Sequence, residues 1–356
     1  MSLSSSNLAS SQLSEKDCYL TESVHQKLPP HLVSQFAKLT EITSRSLVQR
    51  LTVRPVHLPN CGDVFTAAVC GGNNDPSLTP LVCLHGFDSS LLEFRRLLPA
   101  LEQRLVPSQR NHALDSAAKM PDMGTKTPKI GHIWLIDLLG FGFTERPKGI
   151  PITPAMIKGH LYQFWQAYGL KPMILVGASM GGAVAIDFAV SYPNAVSQLI
   201  LIDSAGLAGG SPVGKWLFPP LDRWATQFLA NAGVRRQVSL KAYLNPALVT
   251  PDAELCAALH LQMPRWSEGL ISFTKSGGYG AYGTALKSVL NQLSMPTLIL
   301  WGSHDQILGT QDAAIFQDLI PNAQLEWIAA SGHMPHLEHP DLTAQRMLDF
   351  CHAGAN

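Results

Sequence analysis

Ser179 is the residue in this chain best placed to act as a nucleophile. It sits in Gly177-Ala178-Ser179-Met180-Gly181-Gly182, directly after the apolar run Met173-Ile174-Leu175-Val176 and directly before a helix-like segment, 183–192. A serine on a sharp strand-to-helix turn holds its oxygen clear of the backbone. Flanking glycines are expected there because larger side chains would collide across the turn. The helix that starts beside it aims unpaired N–H groups at any negative charge developing nearby. The chemistry this suggests is attack on a carbonyl carbon.

A serine hydroxyl is a weak nucleophile near neutral pH. It needs a base, and the base needs an orienting carboxylate. In a parallel sheet the functional loops lie at the carboxyl ends of the strands. After a strand at 296–301 comes Gly302-Ser303-His304-Asp305, which offers Asp305. After a strand at 324–329 comes Ala330-Ser331-Gly332-His333, which offers His333. The chain carries 13 histidines, so His333 has rivals nearby. His336 and His339 read as packing or capping residues, and His304 precedes the proposed acid. Asp203, at another strand end, is the alternative acid or a cap on the following turn. Asp137, in a Gly-Phe-Gly-Phe setting, reads as structural. An oxyanion hole needs two N–H groups aimed at one point: Met180, just past the nucleophile, and Phe87, in the loop after Leu84. His85 is read as holding that loop by hydrogen bonds.

The elements that must position these groups follow from periodicity. Residues 1–30 read as a disordered tail and 31–50 as one amphipathic helix. Leu32, Phe36, Leu39, Leu47 and Val48 recur in 31–50 at helical spacing. That helix packs on the domain behind it, or alternatively touches a membrane surface. Short strands at 52–58 and 63–70 flank a Pro-Asn-Cys-Gly turn, and buried strands follow at 80–84, 130–136, the apolar run 173–176 and 196–202. Helices alternate with them, which argues a parallel sheet covered on both faces. The stretch 106–129 is polar and aperiodic, a long excursion between a helix and a strand. From 206 to 290 the pattern turns helical and aromatic. Trp216, Trp224 and Trp266 are the expected substrate-contacting residues of a lid there, though such aromatics equally serve to glue a lid to its core. The expected organisation is a core in two parts, 51–205 and 291–356, interrupted by the lid at 206–290.

Composition narrows the partners. The 356 residues are 46% hydrophobic and only 15% charged, with 26 basic and 26 acidic groups. Such a balance gives no electrostatic footprint for nucleic acid. Six cysteines are scattered without metal-ligand spacing or a CxxC pair, which suggests free thiols in a reducing, cytoplasmic setting. No apolar run reaches the roughly 18 residues of a membrane span, and no secretory signal is expected. The expected partner is a small molecule, with no metal or organic cofactor, and the chain is read as a monomer or homodimer.

Taken together, the His85-Gly86-Phe87 loop, the Gly177–Gly182 elbow, the 301–305 stretch and Gly332-His333 resemble the α/β-hydrolase superfamily in order and spacing. The resemblance covers 51–351. It implies an α/β fold, a mostly parallel eight-stranded sheet with a helical cap between strands 6 and 7. Serine at 179 separates the chain from the branches that carry aspartate there. Relatives that cleave C–C bonds typically place a tryptophan soon after the histidine, whereas Met334-Pro335-His336-Leu337-Glu338 follows here. The single Gly86 before Phe87 resembles esterases and lipases. His85–Ser90 and Ser276-Gly277-Gly278-Tyr279 resemble plastid and cyanobacterial members, some acting on lipophilic esters such as phytyl esters. The resemblance implies hydrolysis of a carboxylic ester, with C–C hydrolysis, acyl transfer or non-catalytic ligand binding as alternatives.

Overall fold

In the computed structural model, residues 27–59, 61–105, 130–207, 219 and 221–353 are described, the side chains of 280–284 excepted. The expected excursion 106–129, Trp216 and nearly all of the expected tail lie outside them. Eight strands form one sheet: β1 (Thr52–Leu58), β2 (Gly62–Gly72), β3 (Thr79–Leu84), β4 (Ile130–Ile136), β5 (Met173–Ala178), β6 (Val196–Ile202), β7 (Thr297–Gly302) and β8 (Ala323–Ile328). Their order is β1-β2-β4-β3-β5-β6-β7-β8. Only β2 runs antiparallel to its neighbours; every pairing from β4 to β8 is parallel.

Alternation along β5 divides the core in two. Met173 and Leu175 join one apolar cluster, and Ile174 and Val176 join the other. A strand buried on both faces must read as a continuous apolar run, and β5 and β7 are buried at every residue.

Helices fill both faces. In chain order they are α1 (Pro30–Phe36), α2 (Ile42–Gln49), α3 (Leu97–Leu105), α4 (Pro154–Ala167) and α5 (Met180–Ser191). Between β6 and β7 lie α6 (Leu221–Ala230), α7 (Ala232–Ala242), α8 (Pro251–Ala258), α9 (Trp266–Lys275) and α10 (Gly278–Lys287). Then come α11 (Gln311–Leu319), α12 (Pro335–Glu338) and α13 (Pro340–Ala353). Phe164, Phe188 and Phe316 from α4, α5 and α11 cover one face, whereas Leu32, Leu47, Leu101 and Met347 cover the other.

The single helix expected over 31–50 is two helices. Between them the Thr40 and Glu41 N–H groups donate to Asp252 Oδ1 of α8 at 2.5 and 2.9 Å. That carboxylate satisfies amides which an unbroken helix would bond internally. The apolar side chains Leu32, Leu39, Leu47 and Leu51 are buried against the sheet. These side chains pack on the domain behind the helices, as the first of the two readings expects, while Ile42 of α2 is exposed. Among the described residues no helix is long and apolar enough to cross one.

Candidate active site

Ser179 stands between β5 and α5 with φ +50° and ψ −119°, a conformation that costs a non-glycine residue on the order of 1–3 kcal/mol. The strain is held in place from both sides. Ser179 N–H donates to Ile202 O of β6, and its carbonyl accepts from Gly182 and Ala205 N–H, all at 2.9 Å. A side chain at Gly177 would lie 2.6 Å from Gly182 Cα, and one at Gly181 would lie 2.7 Å from His85 O. The glycines are thus required by close approach of the elbow to itself and to the β3 loop. Gly86 of that loop faces Ser179, since a Cβ there would be 3.3 Å from Ser179 Cβ.

His333 and Asp305 leave the ends of β8 and β7 and meet. His333 Nδ1 lies 2.9 Å from Asp305 Oδ2, both groups buried. Asp305 Oδ1 accepts from Ile307 and Leu308 N–H at 2.7 and 3.1 Å. Burial opposes the charge on Asp305, but the His333 bond and these amides carry its pKa below the usual carboxylate range. With Nδ1 so engaged, Nε2 is the nitrogen left for proton transfer. His333 N–H donates to Ala242 O of α7 at 2.7 Å. Glu338 adds a second tie: Oε1 accepts from Gly332 N–H at 2.6 Å, and Oε2 accepts from Leu244 N–H at 2.9 Å. The histidine loop is thereby fastened to the helical insert.

The other titratable candidates resolve into supporting roles. Asp203 (φ +40°) accepts from Gly302 N–H at 2.9 Å and does not bond His333. Burial raises its pKa well above the ordinary value, and the neighbouring Asp305 charge adds to the effect. Asp203, Asp305 and His333 bring possible ligand atoms within 4.8 Å of one another, but the 2.9 Å contact is that of a hydrogen-bonded acid–imidazole pair. His85 is fully buried, with Nδ1 2.8 Å from Gly86 O and Leu138 N–H donating to Nε2 at 3.2 Å. Burial lowers its pKa to about 4, so it is a neutral clamp. Asp137 accepts from Leu91 and Phe143 N–H at 2.5 and 2.6 Å, a turn anchor. His336 pairs with Glu93 at 3.3 Å, and Glu93 accepts Gly86 N–H at 3.0 Å. His339 lies 2.8 Å from Ala330 O.

Ser179, His333, Phe87 and Met334 line one cavity of ≈ 360 Å³. Met180, the first residue of α5, has an N–H that the helix itself cannot satisfy. The cavity walls include Leu229, Val234, Val238, Ala253, Ala257 and Leu337. A second cavity of ≈ 290 Å³, between the 146–152 loop and α9, contains none of the candidate residues.

Of the tryptophans expected to meet substrate, Trp224 and Trp266 are not among the residues that line the cavity. Trp224 is 62% exposed on α6, and the apolar wall is built instead from aliphatic residues of α7 and α8. Trp266 is buried, with its Nε1–H donating to Asp88 Oδ1 at 2.8 Å. It anchors the insert to the core, the gluing role left open above. Trp216 is outside the described residues. Sequence reasoning missed Asp88, Glu93, Arg235 and Glu338. Nothing in a single sequence separates such buried polar anchors from surface charge. Only the crowding of Asp88 and Glu93 after His85-Gly86 hinted at them.

The fold and this strand-end arrangement define an α/β hydrolase. A family model described as alpha/beta hydrolase fold matches residues 79–340, and the chain belongs to that family. It is 30% identical over 326 residues to the alpha/beta hydrolase domain-containing protein VTE7 of Arabidopsis thaliana, covering 90% of each chain. It is 24% identical to Lipase 1 of Psychrobacter immobilis over 279 residues, 78% of each. Among solved structures it resembles a meta-cleavage product hydrolase from Pseudomonas fluorescens IP01. That match has a TM-score of 0.63 and 20% identity, covering 85% of this chain and 98% of that one.

Proposed function

We propose that this protein is a serine hydrolase of carboxylic esters with a bulky apolar acyl or alcohol part. The observation that carries the reading is the strained Ser179 elbow facing the same aliphatic-walled cavity as the Asp305-paired His333. Ser179 Oγ attacks the ester carbonyl carbon as His333 Nε2 takes its proton, and ionised Asp305 stabilises the imidazolium through Nδ1–H. The Phe87 and Met180 N–H groups receive the tetrahedral oxyanion, each donor worth about 3–4 kcal/mol of barrier. The imidazolium then protonates the leaving alkoxide oxygen, and the alcohol departs. Water, deprotonated by the same nitrogen, attacks the acyl-enzyme to release the acid and restore Ser179.

C–C bond hydrolysis is the second reading, favoured by the resemblance to a meta-cleavage product hydrolase. Ester cleavage ranks above it because Met334, not tryptophan, follows His333 on the cavity wall. The free thiols of Cys61, Cys70, Cys83, Cys256 and Cys351 support a reducing, cytoplasmic setting.

The test is turnover of p-nitrophenyl esters of graded chain length, beside a Ser179→Ala control. The reading requires hydrolysis that rises with chain length and disappears in the control. Ester inertness combined with cleavage of a vinylogous diketone would replace it with C–C hydrolysis. Inertness toward both would favour transfer or ligand binding.

A further inference from the structure

Asp88 follows Phe87 in the loop that supplies the second oxyanion donor, and it is the meeting point of the helical insert. Its Oδ2 accepts from Arg235 Nη1 of α7 at 2.7 Å, and its main-chain carbonyl accepts from Arg235 Nη2 at 3.2 Å. Its Oδ1 receives Trp266 Nε1–H at 2.8 Å and lies 3.1 Å from His260 Nε2. Arg235 also donates to Ala257 O of α8 at 2.6 Å. One carboxylate, nine-tenths buried, therefore collects three side chains from three separate parts of the insert. Phe87 is held from the same side: its ring lies 6.1 Å from that of Phe273 on α9 and 6.0 Å from Phe141.

The backbone at Asp88 is in the left-handed region, φ +46°. A non-glycine residue stays there only where its surroundings fix it. No glycine occupies the position; the carboxylate contacts hold it from the insert side, beside the Gly142 N–H bond to Ser89 O at 3.1 Å on the core side. The charge is secure: burial opposes ionisation, but the bonds from His260, Arg235 and Trp266 bring the Asp88 pKa down to about 2. Burial keeps the His260 pKa below its ordinary value despite Asp88, and its Nε2 faces the carboxylate.

We propose that Asp88 is a positioning residue for the oxyanion hole: the contacts of Arg235, His260 and Trp266 with it make a correctly aimed Phe87 N–H conditional on the insert being docked. The insert then does more than roof the cavity. Its seating completes the catalytic loop, so reaction is confined to the closed molecule, where water is displaced by substrate. This inference rests on the ester-hydrolase reading for its catalytic consequence, but its structural half stands apart from it.

His260 and Trp266 do not line the cavity, so changing them leaves substrate contacts in place. Amide hydrogen exchange of the full chain is measured for Trp266→Phe, His260→Leu and His260→Gln. Loss of one hydrogen bond to a charged group should speed exchange across 86–91 about 10-fold or more, with β5 keeping its protection. Glutamine places a donor near the Nε2 position and should restore most of the slowing. In the ester assay, Trp266→Phe and His260→Leu should lower kcat about 10-fold with KM changed less than about 2-fold, and weaken an alkylboronic acid, which needs the hole, in parallel. Unchanged exchange at 86–91 in both Trp266→Phe and His260→Leu, or equal acceleration over the whole chain, would overturn the proposal. A wild-type protein inert toward esters would remove the ester-hydrolase reading, and the exchange result would still decide whether the insert positions the 86–91 loop.

Discussion

Gly182→Ala offers a quantitative probe of the elbow. A Cβ at this third residue of α5 would lie 2.6 Å from Ser204 Cβ, and its Oγ would be closer still. Ordinary contact begins near 3.4 Å, so the two segments must part by about 0.8 Å. Ser204 follows Asp203, and Ala205 N–H bonds the Ser179 carbonyl, so the displacement is transmitted to Ser179. Misplacement by about 1 Å costs near 100-fold in rate, and overpacking costs about 1–3 kcal/mol of stability. We expect kcat/KM on a p-nitrophenyl ester to fall about 30- to 100-fold, about 2–2.7 kcal/mol of barrier, in a protein that still melts cooperatively. Ser204→Gly removes both clashing atoms. Activity of the Gly182→Ala, Ser204→Gly double variant should therefore lie within about 5-fold of Ser204→Gly alone, a coupling detectable in a double-mutant cycle. If Gly182→Ala costs the same with and without Ser204, the steric reasoning is wrong.

Three further outcomes follow from the same geometry. His160 is buried with Nε2 2.7 Å from the Thr66 hydroxyl, and burial lowers its pKa from 6.5 to about 4. The unfolded chain therefore binds the proton first, and stability is lost as pH falls from 6.5 toward 4. His160→Leu should be about 1 kcal/mol less stable at pH 7.5 for the lost hydrogen bond. By pH 4.5 it should be the more stable form, because wild type has then forfeited about 2.5 kcal/mol; a deficit equal at both pH values in urea titrations would contradict this. Asp305→Asn should lower kcat about 10⁴-fold, as loss of the orienting acid does in triads, read in the ester assay. Asp203→Asn, whose amide oxygen can still accept the Gly302 N–H bond, should stay within about 3-fold of wild type; a loss matching that of Asp305→Asn would make Asp203 the orienting acid.

The sheet and the reactive loops were legible because their signals are local. A strand buried on both faces is an apolar run wherever it occurs, and Gly177 and Gly181 are demanded by atoms a few residues away. Asp305 and His333 could be picked out because strand ends in a parallel sheet share one edge. What stayed hidden is tertiary. Trp224 and Trp266 have the composition of a substrate wall, yet one faces solvent and the other hydrogen-bonds Asp88. The break between α1 and α2 depends on Asp252, 211 residues beyond Glu41, which no helical periodicity could reveal. Asp203 and Asp305 end adjacent strands with similar local sequence. Only the distance to His333 Nδ1 distinguishes them.

The central claim is that Ser179 is a nucleophile activated by His333. The most direct measurement is labelling of the folded protein with a fluorophosphonate, with the adduct mapped by peptide mass spectrometry. The account predicts one adduct on Ser179, abolished in Ser179→Ala and slowed by about 10³-fold or more in His333→Ala. Absence of labelling in folded wild-type protein, or an adduct that forms as fast without His333, would contradict it.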